Sequence, residues 1–214
     1  MTRTMSHERA FTPGLGHAFL TPLYDLVHRL SGLGRLHDEM LTLADLRPCM
    51  RVLDVGCGTG NLLLTLGRRY PGVEPAGLDP DARALARAAR KSRRAGLTVD
   101  WRRGFAEELP YPDQSLDRVF SSLMLHHLEP PAKDALLAEV RRVLRPEGLL
   151  VLADMDGHDA MSGHGFRHRS PARSPHVEAG TDIAERVAAA GFQVEPTTVY
   201  RLAVGRITIV RARP

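Results

Sequence analysis

The residues best suited to chemistry lie in a glycine-rich stretch that follows a short apolar run. The stretch reads VLDVGCGTGNLL over residues 52–63, with Asp54 two residues before Gly56 and further glycines at Gly58 and Gly60. Glycine is needed where the backbone takes a positive φ or approaches a ligand closely. An apolar strand, a glycine turn and a helix in this order are typical of a nucleotide-cofactor site in a doubly wound sheet.

The spacing within this stretch separates two classes of cofactor. A dinucleotide site reads G-x-G-x-x-G, but here the third glycine comes one residue early and Asn61 stands where that glycine is expected. A carboxylate at Asp54 would repel a pyrophosphate and attract an amino group. The pattern therefore favours S-adenosylmethionine, which carries an ammonium group, a sulfonium and no phosphate, over a nicotinamide dinucleotide.

Two further groups of polar residues follow predicted strands. Asp79 ends the second strand, 25 positions after Asp54, where an acid can accept hydrogen bonds from both ribose hydroxyls; beside Pro80 it also suits a helix cap. His126 and His127 follow the fourth strand, where a histidine could remove a proton from a hydroxyl, amine or acidic carbon. We predict one of these histidines, with His127 preferred, as the catalytic base; the alternative is that they pack against or cap the next helix.

Four ordered blocks over residues 51–155 resemble the class I S-adenosylmethionine-dependent methyltransferases of the type 11 group. The glycine stretch matches D-x-G-x-G-x-G, Asp79 supplies the acid after the second strand, residues 103–125 match G-D-A-x-x-L-P-F-x-x-x-x-F-D-x-V, and residues 139–155 match E-x-x-R-V-L-x-P-G-G-x-L. Family members often carry Asp or Asn at the position of Phe105, where the side chain accepts from adenine. Residues 21–60 show a fainter resemblance to the ubiquinone and menaquinone C-methyltransferases, on Tyr24, Asp25, Arg47 and Pro48.

The resemblance implies a cofactor site and the part that each residue plays in it. Asp54, Gly56, Gly58 and Thr59 would hold the methionine half, Asp79 the ribose, and Phe105, Ala106 and Ser122 the adenine side, with Tyr24 near the cofactor carboxylate. The full predicted set is Tyr24, Asp54, Gly56, Cys57, Gly58, Thr59, Asn61, Asp79, Pro80, Phe105, Ala106 and Ser122. We predict no metal site.

The elements that must position these residues alternate between strand and helix. We predict strands at 51–55, 73–78, 97–101, 116–123 and 149–153, then two more at 193–202 and 206–213, with helices between them. This alternation implies an α/β fold with a parallel sheet. The resemblance implies a Rossmann-like, doubly wound sheet of seven strands in the order 3-2-1-4-5-7-6, the last strand antiparallel.

The ends of the chain and one internal stretch stand outside this alternation. Helices predicted at 19–30 and up to about residue 45 would form a lid, which divides the chain into an arm and lid (1–46) and a methyltransferase domain (47–214). Residues 156–180 lack periodicity, and such a stretch is either a functional lid or a disordered insert.

Composition limits the setting and the partners. The 214 residues are 43% hydrophobic, which predicts one globular unit. The net charge of +4 comes mostly from arginines that are dispersed along the chain, so we predict no nucleic-acid binding. Two cysteines, no signal peptide and no apolar run long enough to cross a bilayer favour a reduced, cytoplasmic setting. We expect a small-molecule acceptor, aromatic or acidic; the oligomeric state stays open.

Two rival functions remain on the sequence alone. One is a nicotinamide-dependent oxidoreductase, which shares the strand, glycine turn and helix. The other is a non-catalytic relative that binds the cofactor or serves as a partner subunit, and Phe105 is the feature in its favour.

Overall fold

The computed structural model describes residues 32–155, 176–178, 182–202 and 205–214, which form five α-helices, one 3₁₀ helix (Leu125–His127) and nine strands. The helices are α1 (Leu33–Thr42), α2 (Asn61–Arg69), α3 (Ala82–Arg94), α4 (Pro130–Val143) and α5 (Asp182–Ala189). The strands are β1 (Arg51–Val55), β2 (Glu74–Asp79), β3 (Asp100–Arg103), β4 (Leu116–Ser122), β5 (Leu144–Met155), β6 (His176–Glu178), β7 (Gln193–Val194), β8 (Thr197–Leu202) and β9 (Gly205–Arg213).

All nine strands belong to one sheet. Its order is β3-β2-β1-β4-β5-β9-β8-β6, and β7 pairs with β9. Strands β1 to β5 are parallel, whereas β9 runs antiparallel to β5 and to β8. The predicted fold and strand order are confirmed, with β8 and β9 as the sixth and seventh strands. The short strands β6 and β7 are additions, and β6 lies within the stretch 156–180 for which no regular structure was expected.

Helices cover both faces of the sheet, so its central strands are buried on both sides. Residues 52–55 of β1 are buried throughout, as expected for a parallel strand between two layers of helices. One apolar core joins the sheet to α1, α2 and α3, and the other joins it to α4 and α5. The parallel arrangement brings the carboxyl ends of β1, β2, β4 and β5, with the predicted site residues, to one edge.

The largest boundary difference concerns the start of β5. The strand was expected to begin at residue 149, but α4 ends at Val143 and β5 begins at the next residue. Leu116 pairs with Leu144 and Arg118 with Leu149, so the strand bulges between these pairs. Proline disfavours helical backbone at the residue before it, which explains why the helix stops early.

Part of the predicted lid can be placed. The second predicted helix corresponds to α1, which packs into the same apolar core as α2 and β1 through Leu36 and Met40. The helix predicted at 19–30, with Tyr24, lies outside the described residues, and so do residues 156–175. The division at residue 46 therefore stays a prediction.

Among the residues described, none of the helices combines the length and apolar character that crossing a bilayer requires. The predicted cytoplasmic location stays a prediction.

Candidate cofactor and active site

The glycine turn after β1 is built from backbone conformations that glycine favours. Gly56, Gly58 and Gly60 have φ values of +73°, +52° and +76°, all in the left-handed region. The backbone N–H groups of Gly56 and Cys57 both donate to the carbonyl of Leu78, at 2.8 and 3.1 Å, which ties the turn to the end of β2. The turn is therefore fixed in shape before any ligand arrives.

Two of these glycines permit close packing, and the third faces open space. A Cβ at Gly56 would lie 2.3 Å from Cγ of Met124, and one at Gly60 would lie 2.5 Å from Cη2 of Trp101. A Cβ at Gly58 would meet nothing within 4 Å. Gly56 thus lets the turn after β1 touch the loop after β4, while Gly58 leaves room at the cavity.

Asp54 is a buried carboxylate with an unused acceptor atom. The residue is 3% exposed, and its Oδ1 has no hydrogen-bond partner among the described residues. Burial, and then the nearby Asp79, raise the pKa of the Asp54 carboxyl well above its ordinary value. An unpaired buried carboxylate is costly, so this group is suited to a cationic ligand that would restore its charge.

The carboxylate of Asp79 holds the turn by a hydrogen bond from the backbone of the turn. Its Oδ2 accepts from the backbone N–H of Gly58 and its Oδ1 from that of Asp81, both at 2.8 Å. Burial raises the pKa of Asp79, and these backbone donors act against that rise. The side chain that caps α3 is Asp81, which accepts from the N–H of Arg83. Each carboxylate oxygen of Asp79 keeps a further lone pair that a ribose hydroxyl could use. The ribose contact of Asp79 stays a prediction.

A small, partly open cavity lies against the turn. It has a volume of about 40 Å³ and is lined by Asp54 and Gly58 from the turn, by Ser122 from β4, and by Leu33 and His37 from α1. This volume suits a charged end group of a ligand rather than a whole nucleoside cofactor. Helix α1 therefore forms the roof of the cavity.

Comparison with known proteins bears on the family. Residues 52–148 match the family model described as a methyltransferase domain. The chain is 36% identical over 138 residues to the demethylmenaquinone methyltransferase of Thermus thermophilus, covering 63% of this chain and 62% of that protein. It is 34% identical over 122 residues to the 27-O-demethylrifamycin SV methyltransferase of Amycolatopsis mediterranei, covering 56% of this chain and 44% of that one.

The fold agrees with these matches. The crystal structure of a SAM-dependent methyltransferase from Aquifex aeolicus superposes with a TM-score of 0.66 at 22% identity, over 89% of this chain and 98% of that one. Residues 52–148 of this chain form a methyltransferase domain with the class I fold. The predicted family and its cofactor, S-adenosylmethionine, are thereby confirmed at the level of the domain. The chain spans less than two thirds of the length of the two curated relatives, so their full activities do not transfer to it directly.

The residues of the methyltransferase domain fit this cofactor. The unused Oδ1 of Asp54 offers an acceptor for an ammonium group, and the open face of Gly58 lets the backbone approach a ligand. The thiol of Cys57 is buried against Gly77, and burial is the main cause that raises its pKa. A thiol in that state is a poor nucleophile. The part of Cys57 in cofactor binding stays a prediction.

Two predicted cofactor residues already have a partner on the protein. Thr59 and Asn61 line the cavity, but the ammonium of Lys91 donates to Thr59 Oγ1 at 3.3 Å and to Asn61 Oδ1 at 2.5 Å. Lys91 lies on α3 and was not predicted as a site residue. It joins α3 to the start of α2 and so helps to position the side chains of Thr59 and Asn61.

The predicted adenine-side residues lie in two places. The N–H of Gly104 donates to the carbonyl of Asp79 at 3.3 Å, so the loop with Phe105 and Ala106 adjoins the end of β2 and Pro80. Ser122 instead lines the cavity that contains Asp54, and its Oγ lies 3.3 Å from Nε2 of His37. The structure therefore places Ser122 beside the proposed ammonium site, whereas its adenine contact stays a prediction.

His126 is held by a buried carboxylate. Its Nδ1 lies 2.6 Å from Oδ1 of Asp154, and its backbone N–H donates to Oδ2 of the same residue at 3.1 Å. Asp154 is 1% exposed and also accepts from the N–H of Met155. With Nδ1 bound to the carboxylate, Nε2 is the ring atom left to act as a base.

His127 has a different environment. Its ring lies 3.9 Å from that of His126. Partial burial and then the adjacent His126 lower the pKa of His127, while Asp154 acts in the opposite direction. Asp154 binds His126 rather than His127, which favours His126 as the candidate base. The catalytic role of either histidine stays a prediction.

A large groove opens beside the His126–Asp154 pair. It has a volume of about 860 Å³, which is within the range of small-molecule sites. Both members of the pair line it, together with residues of α4 and α5. The loop between β4 and this groove is strained, since Leu123 has a φ of +54°. Strain of this kind in a residue other than glycine is common at functional sites.

Sequence reasoning missed His37, Lys91 and the part played by Asp154. Lys91 and His37 lie on helices with no local motif, so only packing reveals their position. Asp154 could have been found, because it follows the fifth predicted strand as His126 follows the fourth, and carboxyl ends of neighbouring parallel strands lie side by side.

Proposed function

We propose that this chain transfers a methyl group from S-adenosylmethionine to a small-molecule acceptor. The observation that carries the proposal is the unused Oδ1 of Asp54, which is buried beside the glycine turn. In that turn, Gly58 has open space around its Cα. An ammonium group beside Oδ1 of Asp54 would satisfy it, whereas a pyrophosphate would be repelled. The methyltransferase domain and its cofactor class support the same conclusion.

On the cofactor side, the main task of the chain's residues is to bind and orient S-adenosylmethionine. Bound S-adenosylmethionine supplies a methyl group that is already activated on a sulfonium, so the chain's task is to position the reactants. Asp54 would bind the ammonium group, Asp79 the ribose, and the backbone at Phe105 and Ala106 the adenine. Hydrogen bonds from Gly56 and Cys57 to Leu78 and from Gly58 to Asp79 hold the turn in this shape.

The acceptor side provides a base. In our proposal, His126 Nε2 takes the proton of the acceptor, and Asp154 orients the ring and stabilises the imidazolium that forms. Contact between Gly56 and Met124 brings the two loops together, and Met124 is two residues from His126. The base therefore belongs to the loop that touches the cofactor turn.

The groove favours an aromatic or neutral acceptor over an acidic one. Its described wall contains the four carboxylates Asp134, Asp154, Asp182 and Glu185 but only two permanent cations, Lys133 and Arg186. An anionic acceptor would meet net repulsion there. Of the two acceptor classes expected from the sequence, we therefore propose the aromatic one. The relatives named for demethylmenaquinone and demethylrifamycin support a small-molecule acceptor and leave the acceptor atom open.

Calorimetry followed by a transfer assay tests this function. We expect the purified chain to bind S-adenosylmethionine and S-adenosylhomocysteine but not NADH, and to release S-adenosylhomocysteine with a member of a panel of quinols, phenols and amines. Uptake of NADH alone would contradict the proposal and favour the oxidoreductase. Cofactor binding with no transfer to any acceptor would favour the non-catalytic relative.

A further inference from the structure

The cavity under α1 contains two polar groups of opposite character. One is the buried carboxylate of Asp54, with its unused Oδ1. The other is the His37–Ser122 pair, in which Nε2 and Oγ lie 3.3 Å apart. His37 is 7% exposed and Ser122 is partly buried. The cavity thus brings an acceptor and possible donors together within about 40 Å³.

This combination suits the amino-acid end of the cofactor, on which an ammonium and a carboxylate share one carbon. If Asp54 binds the ammonium, the carboxylate needs a donor close by, because a buried anion without hydrogen bonds is costly. The first place to look is the backbone of the glycine turn, since backbone N–H groups often bind anions.

Four backbone donors of the turn, however, already have acceptors on the protein. The N–H groups of Gly56 and Cys57 donate to Leu78, that of Gly58 to Asp79, and that of Gly60 to Cys57. The side-chain oxygens of Thr59 and Asn61 accept from Lys91. Because these four N–H groups are already used, the His37–Ser122 pair is a better source of a donor for the carboxylate than they are.

We infer that His37, together with Ser122, binds the α-carboxylate of the cofactor and that α1 is therefore part of the cofactor site. This inference rests on the proposed function. An imidazole N–H or a serine hydroxyl forms a strong hydrogen bond to a carboxylate, stronger still when the imidazole is charged. Helix α1 would then close over the bound cofactor through a direct contact instead of only covering it.

Decarboxylated S-adenosylmethionine, which lacks the carboxylate but keeps the ammonium and the sulfonium, isolates this contact. Calorimetry would give the affinity of wild-type and variant proteins for S-adenosylmethionine and for the decarboxylated analogue. His37→Ala should weaken S-adenosylmethionine binding by about tenfold or more while changing binding of the analogue by less than about threefold. His37→Gln, which keeps a donor, should recover part of the loss, and Ser122→Ala should show a smaller loss of the same selectivity.

Arg35→Ala provides the matched control, because Arg35 is an exposed cation on the same helix and does not line the cavity. It should leave both affinities unchanged. Thermal unfolding of each variant without ligand shows whether the fold is kept, and the ratio of the two affinities is independent of the fraction folded.

Equal loss of both ligands in His37→Ala would overturn the inference, because it would show that His37 only holds α1 in place. Unchanged affinities of His37→Ala for both S-adenosylmethionine and the decarboxylated analogue would overturn the inference too. In both cases wild-type binding leaves the proposed function intact. A wild-type protein that binds neither ligand would instead contradict the proposed function, and this inference with it.

Discussion

The carboxylate of Asp154 and the imidazole of His126 form a pair, with 2.6 Å between Oδ1 and Nδ1. The two residues are 28 positions apart in the chain. They meet because β4 and β5 are parallel neighbours, with Ser122 beside Ala153 in the register, so that the residues after each strand lie at the same edge. A second hydrogen bond, from the N–H of His126 to Oδ2, fixes the backbone as well.

This pair predicts a loss of turnover without a loss of cofactor binding. His126→Ala should lower kcat by about 10²- to 10⁴-fold, the usual contribution of a general base. Asp154→Asn should lower it by about tenfold or more, because the ring loses its orienting charge. Both variants should bind S-adenosylmethionine as the wild type does, measured by calorimetry.

His127→Ala is the matched control for these variants. His127 is the adjacent histidine, but Asp154 does not bind it, so its removal should change kcat by less than about threefold. A larger effect of His127→Ala than of His126→Ala would restore the order that the sequence suggested and contradict the assignment of the base.

Asp54 predicts a direct loss of cofactor affinity. Asp54→Asn keeps the shape of the side chain but removes the charge that would pair with the ammonium group. Binding of S-adenosylmethionine should weaken by about 10- to 100-fold, since hydrogen bonds to charged groups contribute roughly 1.5–3 kcal/mol. Calorimetry against the wild type checks this value, and unchanged affinity would contradict the assigned role.

The same substitution predicts a pH-dependent gain in stability without ligand. Because the pKa of Asp54 is raised in the folded state, the folded protein binds more protons than the unfolded one above pH 3.8, the ordinary value. The free energy of unfolding of the wild type should therefore fall as the pH rises through that window. Asp54→Asn removes this contribution, so its advantage in Tm should be small near pH 4 and larger at pH 7.5.

Thermal unfolding at several pH values tests this prediction. For a chain of this size, 1 kcal/mol corresponds to about 2–4 °C in Tm. Some pH dependence in the same direction should persist in the variant, because the pKa of Asp79 is raised too. An advantage of Asp54→Asn that is equal at all pH values would show that charge is not its cause.

The glycines of the turn predict two separable effects of alanine. Gly56→Ala places a Cβ 2.3 Å from Cγ of Met124 at a φ of +73°, so it should destabilise the fold by about 2 kcal/mol or more. Gly58→Ala meets no atom within 4 Å, so it should cost only about 1–2 kcal/mol for its positive φ. Its Cβ would still occupy space at the cavity, and we expect it mainly to weaken S-adenosylmethionine binding.

Chemical denaturation and calorimetry of the two variants distinguish these outcomes. Gly56→Ala should move the midpoint of unfolding more than Gly58→Ala does, and Gly58→Ala should lose more affinity per unit of stability lost. The reverse order would mean that Gly58 does not face the ligand.

Arg142 predicts a stability effect that is independent of the cofactor. Its guanidinium donates to Glu139 and Asp113 and to the carbonyls of Leu109 and Tyr111, so it joins α4 to the loop before β4. Arg142→Ala should cost about 2–4 kcal/mol, because at least two carbonyls and Glu139 lose their donor. Arg142→Lys, which keeps the charge without the planar fork, should recover only part of this.

Glu139 gives this network its own pH dependence. Hydrogen bonding to Arg142 is the main cause that lowers the pKa of Glu139. A carboxyl with a lowered pKa contributes stability that is present above its unfolded value, near 4.5, and is lost as the pH falls through the folded value. The stability lost in Glu139→Gln should therefore be largest near pH 7 and should shrink as the pH falls below 4.5 through the folded value, as unfolding curves of the variant and the wild type across pH 3–7 would show.

The sequence alone determined the frame of the site, because its signals are local. The apolar strand, Asp54 and the three glycines predicted the turn, since a positive φ is a property of single residues. The alternation of strands and helices predicted a parallel sheet, and the family motifs added the strand order. That strand order also places the loop with Phe105 and Ala106 next to Asp79, because β3 is the neighbour of β2 and their ends lie together.

Only the tertiary structure decided which side chains meet across the sheet edge. Asp154 reaches His126, Lys91 reaches Thr59 and Asn61, and His37 reaches Ser122 from positions 28 to 85 residues apart. Such pairs depend on strand register and helix packing, which sum many weak contacts over the whole chain. No short motif records them, and so the proposed base, its carboxylate partner and the helix beside the proposed cofactor cavity were found only from the fold.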